Sequence, residues 1–407
     1  MDAFYVSVEL LRRPELRGRP VVVGGTGGRG VVSAASYEAR RFGVHSAMAS
    51  ATARRLCPHA VFLSPDIAHY TSVSERLRGI FRSFTPLVEQ ISVDEAFMDV
   101  TGAQSLLGDR ITIAHSLRAT VVAETGLTCS VGVATNKFLA KVASEQAKPR
   151  ASAAGIEPGL GVFEVERGRE LDFLHPLPVQ SLWGVGPATL ARLESLGIRT
   201  VGDIAALDES VLVAALGAGH GRHLHRLSRG VDERPVETER RAKSIGHEET
   251  FARDMTTHDE LRAHLVRLCD AVARRTRDSG VAAGTLLLKM KFASFESVTR
   301  SVTPTVPVTT GPSMVALLEP LLRSIDPGQG VRLLGVHAQK LTTERPGAQR
   351  LFDDPSDDGS VEGIEEQWVP ASRAVDSIID RFGPGTIGPA SSMGERRPGE
   401  SPFGPDK

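Results

Sequence analysis

Gln90-Ile91-Ser92-Val93-Asp94-Glu95-Ala96-Phe97-Met98-Asp99-Val100 is an apolar, strand-like run with two adjacent carboxylates at its middle. Ile91, Val93, Phe97 and Val100 read as a strand closed by Gly102, and a strand covered on both faces has no inexpensive place for Asp94 and Glu95. A carboxylate buried there must be paired, protonated or bound to a cation. Two readings stay open on these residues alone. Either the pair forms a metal site where the strand surfaces at a cleft, or the run bends at Asp94-Glu95 and both acids face water.

Around this stretch lie 407 residues, 41% hydrophobic and 24% charged, the balance of a globular protein with two to four domains. No apolar run reaches the roughly 18 residues of a membrane span, and no signal peptide opens the chain. The three cysteines, Cys57, Cys129 and Cys269, are far apart and not at metal spacing. A reducing cytoplasm and no membrane partner are therefore expected. The net charge of -1 conceals an asymmetry: Asp353 to Lys407 holds twelve acidic and five basic residues, which leaves residues 1–352 at +6. A basic body is permissive for a polyanion, although an excess of this size also suits a solvated surface.

Upstream, Met1 to Glu9 alternates like a strand end, and Pro20 to Gly25 reads as a strand. The glycine-rich Gly24–Gly30 has no Gly-Lys-Ser/Thr ending, so it fails as a P-loop and reads as a hairpin connection. Val31 to Ala35 is a strand, and Ser36 to Val44 a short helix with Gly43 at its C-terminal end. Tyr37 and Arg40 share a face of that helix. They form either a hydroxyl and guanidinium pair able to grip a phosphate chain or an ordinary surface arginine stacked on a tyrosine. Residues 70–88 read as helix, Leu127 to Ala134 as strand, and Asn136 to Pro149 as a helix carrying Lys137, Lys141 and Lys148.

Met1-Asp2-Ala3-Phe4-Tyr5-Val6-Ser7-Val8-Glu9, Ser36-Tyr37-Glu38-Ala39-Arg40, Ser92-Val93-Asp94-Glu95-Ala96-Phe97, Ser130-Val131-Gly132 and Ala147-Lys148-Pro149 resemble, in order and spacing, the motifs of Y-family DNA polymerases of the bacterial polymerase IV (DinB) branch. The resemblance runs to about residue 343. It implies an α+β multidomain, right-hand architecture: palm at 1–10 and 75–165, fingers at 11–74, thumb at 166–231, a linker at 232–243, a little finger at 244–343 and a tail at 344–407. It further implies translesion DNA synthesis of low fidelity, on primer-template DNA with deoxynucleoside triphosphates, by a monomer. In Leu182-Trp183-Gly184-Val185-Gly186-Pro187 an apolar frame surrounds a Gly-x-Gly turn, the helix-hairpin-helix pattern, whose glycines let backbone amides approach a DNA phosphate. Leu216 to Gly221 is a weaker second copy. Helices are expected at about 257–278, 312–324 and 372–382. Lys289 and Lys291 share one face of the strand Thr285 to Phe292, and Arg300 sits in the next; all three are candidate phosphate contacts. Gln349, Leu351 and Phe352 resemble a sliding-clamp peptide, with the glutamine one place too close.

By the same resemblance Asp94 bridges two Mg2+ ions and Glu95 binds the one nearer the primer terminus. Tyr37, Arg40 and Lys148 hold the β- and γ-phosphates. Tyr5 is the steric gate beneath the sugar and Phe4 packs beside it. One element of the pattern is missing: the family's first motif places an aspartate, a third metal ligand, directly before the position of Met1. Asp2, on a strand, points to the opposite face. Met1 is accordingly read as an internal methionine of a longer chain. The alternative is a catalytically impaired, polymerase-like adaptor that binds DNA and partners. A two-metal nuclease or phosphatase, the third reading, is opposed by Tyr5 and the helix-hairpin-helix.

Overall fold

The computed structural model describes residues 1–239, 242–343, 360–383 and 386–388. The chain forms two compact units, Met1–Arg240 and Arg241–Lys407.

In the first unit the chain starts extended, with Asp2 N–H donating to the Thr128 carbonyl at 3.0 Å. It then turns at Ala3, whose φ of 44° is left-handed, into helix α1 (Phe4–Arg12). The strand expected here is therefore a helix. Phe4, Val6, Val8 and Glu9 are all buried, so apolar side chains are needed on several faces of the helix, and their alternation no longer reports a strand. Strand β1 (Val21–Gly24) pairs antiparallel with β2 (Val32–Ala35) across the glycine-rich connection. Helix α2 (Tyr37–Arg40) is capped by Ser36 Oγ, which accepts from Ala39 N–H at 3.2 Å. Helix α3 (Ser50–Leu56) follows, and β3 (Val61–Leu63) adds to β1 in parallel. Val22, Val32, Ala35, Ala39, Ala53 and Cys57 form the small core of this layer.

Helix α4 (Ile67–Phe84) buries Tyr70, Val73, Leu77 and Ile80, a 3-4-3 stripe. The acidic stretch is not one strand but a hairpin, β4 (Val88–Gln90) against β5 (Ala96–Met98). After α5 (Gln104–Leu107), α6 (Arg110–Thr125) packs Leu117 and Val121 into the core that α4 lines. Strand β6 (Val131–Val133) leads into α7 (Lys137–Ala147), capped by Asn136. A hairpin of β7 (Arg150–Ser152) and β8 (Gly155–Glu157) precedes β9 (Val162–Glu164), which pairs parallel with β6. The rest is helical: α8 (Glu170–Leu174), α9 (Pro187–Ser195), α10 (Val201–Ala206), α11 (Glu209–Leu216) and α12 (Ala218–Ser228). Their core residues Leu174, Leu193, Ile204, Leu212 and Leu224 cluster with Phe138, Leu139 and Val142 of α7. One helix therefore anchors the helical segment to the sheet region.

In the second unit four antiparallel strands run in the order β10 (Ser244–Met255), β13 (Val331–Gln339), β11 (Thr285–Phe292), β12 (Ser297–Val302). Strand β11 alternates Leu286, Leu288 and Met290 inward with Leu287, Lys289 and Lys291 outward. Helices α13 (His258–Asp278) and α14 (Gly311–Arg323) cover the inner face and share its core. Helix α15 (Val361–Phe382) starts eleven residues before the expected 372 because Ser360 caps it and Pro370 is accommodated inside. It is held by the buried Glu365, which accepts from the amides and hydroxyls of Thr309 and Thr310 at 2.6–3.2 Å. Arg277 donates to both oxygens of Asp376 at 2.7 and 2.8 Å.

Candidate active site

The turn of the β4–β5 hairpin is closed by Ile91 and Ser92 amides, which donate to the Glu95 carbonyl at 3.0 and 3.3 Å. Ser92 Oγ donates to Asp94 Oδ1 at 2.9 Å and accepts from the Asp94 amide at 3.3 Å. The run therefore does bend at its acids, but the two carboxylates line clefts. A cleft of about 500 Å3 is lined by β5, β6 and α7, and one of about 340 Å3 by α1, β2 and α2; Asp94 and Glu95 border both. Among the described residues β5 pairs only with β4, and β6 only with β9. The Met1 ammonium donates to the Asp94 carbonyl at 2.9 Å.

Lys141 Nζ lies 2.5 Å from Glu95 Oε1. Burial pushes the Glu95 carboxyl up, but Lys141, with Lys148 and the N-terminal ammonium behind it, outweighs burial and holds it below the usual carboxylate range. Asp2 takes no part in this cluster: its Oδ1 accepts from Ser130 Oγ at 2.8 Å. Among the described residues no three His, Cys, Asp or Glu side chains converge. Two adjacent carboxylates in a polar cleft nevertheless form a donor set suited to a hard divalent cation.

The smaller cleft brings together Phe4, Tyr5, Tyr37, Arg40 and Lys148 with the two acids. Tyr5 stacks on Tyr70 at 4.4 Å between centroids and 20° between planes. Tyr70, unmarked in the sequence reading, is buried and donates to Glu9 Oε1 at 2.8 Å. Arg40 donates through Nε to the Ala35 carbonyl at 3.0 Å and lies 4.6 Å over the Tyr37 ring. Tyr37 Oη is buried without a hydrogen-bond partner. Burial, then the Asp2 charge, pushes the Tyr37 phenol up to about 12 against the opposing pull of Arg40. Lys148 bonds Glu145 at 2.6 Å.

Two features escaped the sequence. Lys141 is the direct partner of Glu95, and α7 spacing alone could have set it one turn from Lys137. Lys137 itself is buried and bonds the buried Glu89 at 2.6 Å; Glu89 also accepts from the Glu237 amide at 2.9 Å. The alternation around Glu89 gives no warning of a buried acid.

Gly184 has φ 100° and Gly186 is the N-cap of α9, so both stand at the turn predicted for them, though a 3-10 turn (Val179–Ser181) precedes it instead of a full helix. The second copy is the fuller hairpin, with α11 and α12 meeting at Gly217, φ 84°. In the second unit the three predicted basic residues diverge. Lys289 is held by Glu248 at 2.8 Å, and the same carboxylate contacts His337. Lys291 shares the outer face, whereas Arg300 stands opposite the core residue Leu288 and so belongs to the other face. Gln349, Leu351 and Phe352 lie outside the described residues.

The impB/mucB/samB family matches residues 1–145, its C-terminal domain residues 242–351, and the DNA polymerase-iota thumb domain residues 180–232. DNA polymerase IV of Desulfatibacillum aliphaticivorans is 43% identical over 96% of this chain and 95% of that protein. That of Halorhodospira halophila is 46% identical over 83% and 92%, and that of Streptomyces coelicolor 43% identical over 90% and 74%. Among solved structures, a Y-family polymerase chimera of Dbh and Dpo4 superposes with a TM-score of 0.75 at 23% identity over 84% of this chain and 98% of that one. An insertion ternary complex of Dbh gives 0.59, also at 23% identity and with the same coverage. The chain belongs to the DNA polymerase IV family, and its α+β fold is that of the Y-family polymerases.

Proposed function

We propose that this DNA-directed DNA polymerase of the translesion type performs nucleotidyl transfer at the Asp94-Glu95 turn. The observation that supports this most is that seven residues from four separate stretches (Phe4, Tyr5, Tyr37, Arg40, Asp94, Glu95 and Lys148) border one cleft. Asp94 and Glu95 would hold the divalent cations, two Mg2+ by expectation, whose chemistry when bound is to acidify the primer 3′-hydroxyl and neutralise the triphosphate. Glu95 is kept ionised by Lys141 and Lys148 and so is ready to ligate. Arg40, anchored on Ala35 and stacked on Tyr37, and Lys148 meet the β- and γ-phosphates, with the neutral Tyr37 beside them. Tyr5, fixed by its stack on Tyr70, excludes a 2′-hydroxyl.

In domain terms, 1–10 and 75–165 serve as palm, 11–74 as fingers, 166–231 as thumb and 244–343 as little finger, with α4 spanning the palm–fingers boundary. Gly184 and Gly186 offer backbone amides to DNA phosphates, and Lys289 and Lys291 offer their charges to DNA. The clamp peptide at Gln349, Leu351 and Phe352, a monomeric state and a cytoplasmic location complete the reading; among the described residues no helix is long and apolar enough to cross a membrane. Primer extension with magnesium, alongside binding of the same primer-template, tests it. Template-directed extension is expected, and tight binding without extension would return the adaptor alternative.

A further inference from the structure

Phe295 is 62% exposed and sits at φ 69°, in the left-handed region that a bulky side chain enters only under strain. It forms the tip of the β11–β12 hairpin, where its N–H donates to the Phe292 carbonyl at 2.9 Å and Phe292 N–H donates to the Glu296 carbonyl at 2.9 Å. Glycine takes that backbone conformation without penalty. A tip that only closed the hairpin would gain stability by losing the ring. Two cations stand over it, the Arg332 guanidinium 4.6 Å and Lys291 Nζ 5.9 Å from the centroid. Among the described residues no carboxylate lies within ion-pair distance of either, in contrast with Lys289 on Glu248. Ring and charges together form a patch without an internal counterpart.

We propose that this hairpin tip binds single-stranded DNA, with Phe295 stacking on an unpaired base and Lys291 and Arg332 meeting the flanking phosphates. An exposed aromatic beside free cations is the composition of a single-strand stacking platform. Contact with a duplex backbone needs the charges but gives no use to the ring, since paired bases already have their faces covered. The inference rests on the polymerase reading, whose substrate carries an unpaired template strand beyond the primer end.

The test is fluorescence anisotropy of the full chain with labelled oligothymidine and with a blunt duplex of equal length, for the unsubstituted protein, Phe295→Gly and Phe295→Trp. Phe295→Gly relieves the left-handed strain, so its melting temperature should hold or rise. Its affinity for oligothymidine should fall about 5-fold or more, the loss of one stacked base, with duplex affinity unchanged. Phe295→Trp, which keeps a ring at the tip, should retain single-strand binding. An unchanged oligothymidine affinity in Phe295→Gly, an equal loss on both DNAs, or a lowered melting temperature that shows the ring to be structural would each overturn the inference alone. Failure of the unsubstituted chain to bind either DNA would overturn the polymerase reading and this inference with it.

Discussion

The three tyrosines of the chain, Tyr5, Tyr37 and Tyr70, all stand at the smaller cleft or directly against it, and burial raises the phenol of each, Tyr37 and Tyr70 up to about 12. Their unfolded value is about 10. A folded pKa above the unfolded one gives a contribution fully present below pH 10 and lost as pH climbs toward 12. Ultraviolet titration of the folded protein should therefore show the Tyr37 and Tyr70 phenols ionising well above pH 10, alongside unfolding; an ordinary step at 10 for both would contradict the packing described. Tyr5 carries a functional prediction too. Tyr5→Ala should admit ribonucleotides, and sugar discrimination equal to the unsubstituted enzyme's would place the gate elsewhere. Tyr37 and Arg40 were legible as a pair from their spacing of three. What the spacing left open, the structure resolves in part: Arg40 does stack on Tyr37, and the pair borders the cleft that holds both acids.

Helix α7 is the element on which the site depends most. Its inner face enters the core with Phe138, Leu139 and Val142, Lys137 neutralises Glu89, Lys141 meets Glu95, and Lys148 follows its last turn. Lys137→Met should cost about 3 kcal/mol of stability by removing the counter-charge of a buried carboxylate, readable in urea melts; a change under about 0.5 kcal/mol would mean that Glu89 is solvated. Against α7 lies Gly132, where an added Cβ would fall 2.0 Å from the Ala140 carbonyl oxygen and 2.3 Å from the Ser144 amide. Both atoms are backbone. Gly132→Ala should therefore destabilise by about 2–3 kcal/mol, and a neutral result would show that β6 and α7 can part. At this scale the sequence was readable where periodicity was strong, as in α4, α7, α13 and β11. It misled at Met1 to Glu9, where burial on several faces erased the helical period, and at Gln90 to Val100, where a hairpin turn placed between apolar residues looked like continuous strand.

For the molecule as a whole, family motifs made the family and its fold class legible, because each motif marks a position that chemistry constrains. The ion pairs that hold those positions, Glu95 with Lys141 and Glu89 with Lys137, join residues 46 and 48 apart; no local pattern encodes such a pairing. Arg300 shows the converse, since its place in the next strand was readable but its facing depended on register. In the function proposed above, Asp94 and Glu95 at their hairpin turn do the chemistry while other surfaces hold the DNA. The measurement that tests it most directly is magnesium-dependent primer extension by the unsubstituted chain, Asp94→Ala and Glu95→Ala, with primer-template affinity measured on the same samples. Extension should be lost by a factor of about 1,000 or more in both variants, in the range of removing a principal transition-state stabiliser, with affinity within about 3-fold of the unsubstituted chain, since each change removes negative charge near DNA and so does not weaken phosphate contact. Extension that persists in either variant, or DNA affinity that collapses with it, would contradict the claim.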